Sequence, residues 1–326
     1  MVPTTRFTNP IAVEAWDAWF RWREADALRD VTIDATWWRV AEAVAAVEGT
    51  QAPLWAYRYV DAFRRWRLLP DERLLSQAGT GTAPTTFDAP AAVLNVAAFV
   101  TESVGAAPRF DRAAFVDTAA LAVRLLDSAV RTYGATPAPM DLRIGIIGLG
   151  DALQKLGIAY AGHVAPQQAR TIAAALSEGC LRGAVDLEEE RGWLDPDPGA
   201  IRHVALWRHR NMPTCLVERA SRWGVRHSAL TAIDRHPMLA CLANNVTDAI
   251  DPPPAAVAKG PPDVIRAALH EIGAAMQPWI DVPISDTGSD AAPAPGRTGN
   301  AAAGVGHRDP VAMSTSMAGT SLLRGA

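Results

Sequence analysis

Apolar side chains recur at three- and four-residue intervals along most of the chain as far as Ile284, a spacing that predicts a mainly helical protein. Trp37, Val40, Ala41, Val44 and Val47 follow Asp34, a residue suited to an N-cap, so an amphipathic helix is expected over 35–48. An earlier helix would carry Trp16, Trp19 and Phe20 on one side. Phe115, Ala119, Ala122, Leu126, Ala129 and Tyr133 mark a longer helix, opened by Asp111 and closed near Gly134. Pro166 suits the first turn of another, which buries Ile172, Leu176, Cys180 and Leu187, exposes DLEEER and stops at Gly192. Ile265, Leu269, Ile272 and Met276 give the last. Strand signals are few: 228–233 is the better candidate, and 94–100 fits either state. Beyond Ile284 the period disappears into Ala, Gly, Ser, Thr and Pro, which present no apolar face to offset ordering entropy, so 285–326 is expected to be disordered.

Composition narrows the function classes. With 326 residues, 49% hydrophobic and 20% charged, the chain has enough apolar material for one large or two ordinary domains. A net charge of -4 gives no global attraction for nucleic acid or an anionic membrane. The start lacks a basic segment leading into an apolar stretch, and nowhere do about 18 apolar residues run together, so a soluble, cytoplasmic protein is expected. Cys180, Cys215 and Cys241 are far apart and form no C-x-x-C, which argues against a disulfide framework or a thiolate zinc site. They read as small buried apolar residues. His203 and His209 have no identifiable partners, so no metal ligand set is expected.

Two local patterns carry candidate chemistry. Between 202 and 227 lie Arg202, Arg208, His209, Arg210, Arg219, Arg222 and Arg226, with Glu218 the only acid. The plain reading is a solvated basic face; the sharper one is a phosphate-binding patch of Arg208, Arg210, Arg222 and Arg226, which would make the chain a nucleotide-binding regulator. The stretch GIIGLG, 145–150, lacks G-x-G-x-x-G spacing and follows no clear strand, so close helix packing is expected there rather than a dinucleotide turn. The tryptophans are expected in the core, with Trp16 and Trp37 on the apolar faces of their helices.

Several stretches, in order, resemble the adenosylcobalamin-dependent (class II) ribonucleotide reductases. NPIAVEAWDAWFRWREADALRDVTIDATWWRVAEAVAAVE looks like the family's opening, whose early helix reads D-T-W-R-R-V-A, and FRRWRLLPDERLLSQAGT is similar to F-x-F-L-P-x-G-R-x-L-x-x-A-G-T. LNVAAFV resembles I-N-L-A-x-F-V; RIGIIGLGDALQKLGIAY resembles R-I-G-L-G-x-x-G-L-G-D-A-L-x-x-L-G-x-x-Y. WGVRHSALTAI looks like G-I-R-N-S-x-L-x-x-I, LANNVTDAIDP like A-D-N-x-S-x-G-I-E-P, and AAMQPWIDVPISDT like A-A-V-Q-P-Y-I-D-x-x-I-S-K-T. The ordered matches span roughly 9 to 287. The resemblance implies a fold of mainly α type with a few strands, an incomplete remnant of the ten-stranded reductase barrel. It also implies an extension at 1–8, a reductase-like domain at 9–284 and a tail at 285–326.

The departures change what the resemblance implies. The family removes the ribose 2′-hydroxyl through a cysteine thiyl radical generated with adenosylcobalamin, and further cysteines supply electrons. Where the family has F-N-C after A-G-T, this chain has Phe87, Asp88 and Ala89. It then runs directly into LNVAAFV, so the family's intervening strands and N-P-C-G-E finger loop have no counterpart between these landmarks. The family's A-P-T-G-T-I-S turn holds substrate phosphates on its amides and hydroxyls. Here its positions begin Asp234, Arg235, His236, Pro237 and Met238, which brings in a like charge, removes an amide and removes glycine's freedom. No catalytic residue is therefore expected, and no cofactor for the isolated chain; adenosylcobalamin is implied only where the family function survives. The expected role is that of an inactive reductase-like protein, vestigial or binding a reductase chain or a second copy of itself. The alternative is half of a split reductase.

Overall fold

A computed structural model describes residues 5–25, 27–84, 87, 89–103, 105–134, 141–192, 200–225, 227 and 229–284, with backbone alone at 103 and 200–203. The expected tail at 285–326 lies outside the described residues, as does half of the expected extension at 1–8. Asn9 opens α1 (Pro10–Ala15) by accepting from the Ile11 amide, and a π-turn over 16–20 continues it. That turn buries Trp16 and Phe20 but leaves Trp19 outside the core. A short hairpin, β1 (Arg23–Glu24) and β2 (Ala27–Leu28), leads to α2 (Ile33–Ala45). Thr32, not Asp34, caps α2 through its side chain. Asp34 sits inside the first turn and accepts from Arg64 Nε at 2.8 Å and the Thr5 hydroxyl at 2.9 Å. A 3-10 turn then enters α3 (Ala52–Arg64), which packs against α2.

The centre alternates strands with helices. In order come β3 (Leu68–Pro70), α4 (Glu72–Gln77), β4 (Ala91–Asn95), a 3-10 turn over 96–99, β5 (Val100–Ser103), β6 (Ala106–Phe110), α5 (Arg112–Tyr133), β7 (Arg143–Ile147), α6 (Leu149–Lys155) and α7 (Val164–Arg191). β3 runs antiparallel to β4, and β4 parallel to β7. Of the extended run expected over 228–233, residue 228 lies outside the described residues; 229–233 lie along β7 and, among the described residues, make one parallel bridge, Thr231 to Ile144. Its backbone follows β7 through Leu142 N to Ala229 O, Ile144 N to Leu230 O and Ala232 N to Ile144 O, at 2.9, 3.0 and 3.1 Å. Gly145 permits this approach: a Cβ there would lie 2.5 Å from the Ala232 carbonyl oxygen. GIIGLG therefore begins inside β7 and ends in α6, contrary to the expectation of helix packing with no strand.

The α5 boundaries match those read from Asp111 and Gly134. α7 is its main packing partner, and small residues bring the two close: a Cβ on Gly179 would meet the Val116 carbonyl at 2.5 Å. The chain finishes with α8 (Ala200–His209), α9 (Thr214–Trp223), α10 (Pro237–Leu242), α11 (Pro254–Lys259) and α12 (Pro262–Met276). The fold is mainly helical with small sheets, and among the described residues no barrel closes. One core runs from Trp16 and Trp37 through β4 and β7 to Ile272 and Met276. Cys180 is buried in it, whereas Cys215 is exposed and Cys241 only partly covered, contrary to the expectation for those two.

Candidate functional site

The turn at 234–238 sits where the run beside β7 meets α10. Pro237 fits the first position of α10 because its missing N–H would have no partner inside the helix. The preceding residues are fixed by ion pairs. Arg143 grips Asp234 with two hydrogen bonds, Nε to Oδ2 at 2.5 Å and Nη2 to Oδ1 at 2.6 Å. Arg235 donates to Asp251 through Nη1 at 3.2 Å and Nη2 at 2.6 Å, and its Nε lies 3.4 Å from Asp248 Oδ2. The His236 amide donates to Asp248 Oδ1 at 2.7 Å. Met238 is partly buried against the core.

Neighbouring segments complete the site. Asp71, at the N-cap of α4, accepts from the Arg73 amide and guanidinium and from the Ala91 amide. Glu72 lies beside it: burial, then the charges of Asp71 and Asp248, push its carboxyl up. Burial likewise raises Asp248, against the His236 amide and Arg235. Burial also lowers the His236 imidazole despite attraction from Asp234, Asp248 and Asp71. The α6 end of GIIGLG joins the same region, with the Gly150 amide donating to the Thr247 hydroxyl at 3.1 Å and the Thr247 amide to Asp151 at 2.7 Å.

This arrangement is poorly suited to an anion. Its arginines are already committed to carboxylates, and burial together with neighbouring acids pushes the carboxyls of Glu72 and Asp248 up. The nearest thiol in the chain, Cys241, is raised by burial and by Asp248, so it stays protonated. Asp71, Glu72, Arg143, Asp248 and Asp251 were not picked out as site residues from the sequence. LANNVTDAIDP was the available signal, since it places two aspartates three residues apart.

The arginine run does not share one surface. Arg210 is buried and donates to Pro278 O at 2.8 Å, Ser177 Oγ at 3.2 Å and Asp281 Oδ1 at 2.7 Å. Arg208 and Arg222 are exposed, and Arg222 stacks 5.1 Å from the Trp223 ring. Arg226 lies outside the described residues. Arg219 is held by Asp186 and Glu189.

A second charged cluster lies inside, between α5, α7 and the turn after α2. Glu48 accepts from Ser128 Oγ at 2.5 Å, from Arg124 at 3.0 Å and from Arg191. Arg124 also binds Glu190, Arg191 binds Asp127, and His227 Nε2 lies 3.3 Å from Asp127 Oδ1. The DLEEER run is thus only partly exposed: Glu188 and Arg191 turn inward. Among the described residues, these groups pair mostly with one another.

No family model matches the chain, and no curated protein matches it. Among the described residues, no group of three or more His, Cys, Asp or Glu side chains could hold a metal ion. No described helix is long and apolar enough to cross a membrane.

Proposed function

We propose that this chain is a class II ribonucleotide-reductase-like protein that reduces no ribose by itself and acts by binding a reductase chain. The carrying observation is the turn at 234–238. At the position where the resemblance implies a phosphate grip, Arg143 and Arg235 are occupied by Asp234, Asp248 and Asp251. Descent from a parallel barrel is supported by strand order. Three of the matching segments, LNVAAFV, RIGII and SALTAI, contribute the end of β4, β7 and the bridged Thr231, which lie side by side in parallel.

The residues present do not fit adenosylcobalamin chemistry. When bound, that group supplies a radical to a cysteine, and Ala89 stands where the resemblance implies a redox thiol. Cys180 is sealed in α7 and Cys215 lies outside on α9. No step through the cofactor is assigned to this chain. Ile11, Val13, Trp19, Leu28 and Val31, exposed near the start, provide apolar area for a partner to cover.

The test combines turnover with association. The purified chain is incubated with adenosylcobalamin, a ribonucleotide and a dithiol, alone and with a full-length class II reductase chain. No deoxyribonucleotide alone and co-elution with the reductase chain are expected. Turnover by the chain alone overturns the inactive reading, and failure to co-elute overturns the partner reading. Activity arising only with a second polypeptide that lacks activity itself would make this chain half of a split enzyme.

A further inference from the structure

An open cleft of ≈ 510 Å³ lies between α3, α5 and α7, away from the turn at 234–238. Its lining includes Arg58, Arg67, Arg124 and Arg182 together with Asp61, Asp117 and Asp186. Most of this charge is spent internally. Asp61 binds Arg65, Asp117 binds Arg182, Asp186 binds Arg219, and Arg124 binds Glu48 and Glu190. Two guanidiniums are left over. Among the described residues, neither Arg58 nor Arg67 makes a side-chain hydrogen bond or an ion pair.

Their positions differ in a useful way. Arg58 is exposed and stacks 4.6 Å from the Trp55 ring centre. Arg67 is half-buried, 5.1 Å from the Phe99 ring centre. Burial and then the charge of Arg65 lower the Arg67 guanidinium, while Asp111 and Asp61 only partly offset this. A guanidinium has five donors in a planar fork, and leaving them desolvated without acceptors is unfavourable. A ring face supplies attraction but accepts no conventional hydrogen bond.

We propose that this cleft binds a phosphate monoester, its dianion held by Arg58 and Arg67 and its organic body resting against Tyr57 and Leu121, the Trp55 ring being covered by Arg58 and Arg124. Two uncompensated forks match a dianion better than a carboxylate, and a phosphate monoester carries close to two charges at neutral pH. The volume lies within the range of small-molecule sites, about 300–1,000 Å³. Because the cleft lies apart from the reductase-like turn, the assignment is independent of the function proposed above.

Calorimetry and thermal unfolding of the full chain with inorganic phosphate, phenyl phosphate and acetate test it. Saturable phosphate binding is expected, tighter for phenyl phosphate and weaker by about tenfold or more for acetate. Arg67→Met should weaken phosphate by about tenfold or more while leaving the ligand-free midpoint unchanged or higher, because it removes an unpaired, desolvated charge. Arg58→Met, at an exposed position, should weaken phosphate several-fold. The proposal is overturned if no saturable binding occurs up to ~10 mM phosphate, if acetate binds as tightly, or if neither substitution changes the affinity.

Discussion

Arg210 and Arg67 show how one residue type takes opposite roles according to its acceptors. Arg210 reaches a carbonyl, a hydroxyl and a carboxylate, and Asp281 in turn accepts the Leu230 and Thr231 amides. Removing this guanidinium leaves the partly buried Asp281 without its counter-charge but with its two amide donors. Arg210→Met is therefore expected to cost about 1.5–3 kcal/mol in urea unfolding, whereas Arg208→Ala, at the surface, should stay within about 0.5 kcal/mol. Equal losses at both positions would refute the distinction. The sequence did not show this contrast, since no helix is expected from it over 200–209 and Arg208 and Arg210 fall in one candidate patch. It held no trace of Arg67's isolation, because Asp61 and Asp111 come near that side chain without reaching it.

Among the elements, those with one buried face were legible. α5 carries a capping aspartate, an apolar stripe and a glycine at its end, and its boundaries followed from these. β4 and β7 were obscure because the core covers both faces, which erases the alternation that identifies a strand. The turn at 234–238 was legible in its substitutions but not in its partners, since Arg143 and Asp248 come from distant segments. His236 makes that turn sensitive to pH. Burial depresses its imidazole below 6.5, so the folded protein keeps it neutral while the unfolded chain takes up a proton. Its contribution is full above about pH 6.5 and is lost as pH falls toward the folded value. His236→Gln should flatten the decline in stability just below pH 6.5, measured as urea midpoint against pH. Protonation of the raised carboxyls of Asp248 and Glu72 favours the fold as pH falls further, which separates the two contributions. An unchanged slope in the variant would exclude His236 as its origin.

For the molecule as a whole, Glu48 is one polar point at which the N-terminal helices are fastened to the central pair, beside the shared core. It follows α2, yet it is 4% exposed at the side chain and joins Ser128 and Arg124 of α5 to Arg191 at the end of α7. Burial alone would raise its carboxyl, but hydrogen bonds from Ser128 and Arg191 and the charges of Arg191 and Arg124 outweigh that and hold it below the usual 4.5. Because the folded value is depressed, the stabilisation is present above the unfolded value and is lost as pH falls through the folded one. Glu48→Gln keeps the shape and an acceptor but removes the charge, leaving Arg124 with Glu190 and Arg191 with Asp127. Each guanidinium then keeps one carboxylate, so the cost is that of the lost charge-assisted hydrogen bonds to Glu48, about 1.5–3 kcal/mol at neutral pH. The same change removes one carboxylate whose protonation drives acid unfolding, so stability should depend less steeply on pH below 4.5 than in the parent. Urea titrations at neutral and acid pH separate these effects: a large neutral loss with a shallower acid limb identifies charge, whereas equal losses at both pH values would assign the effect to packing.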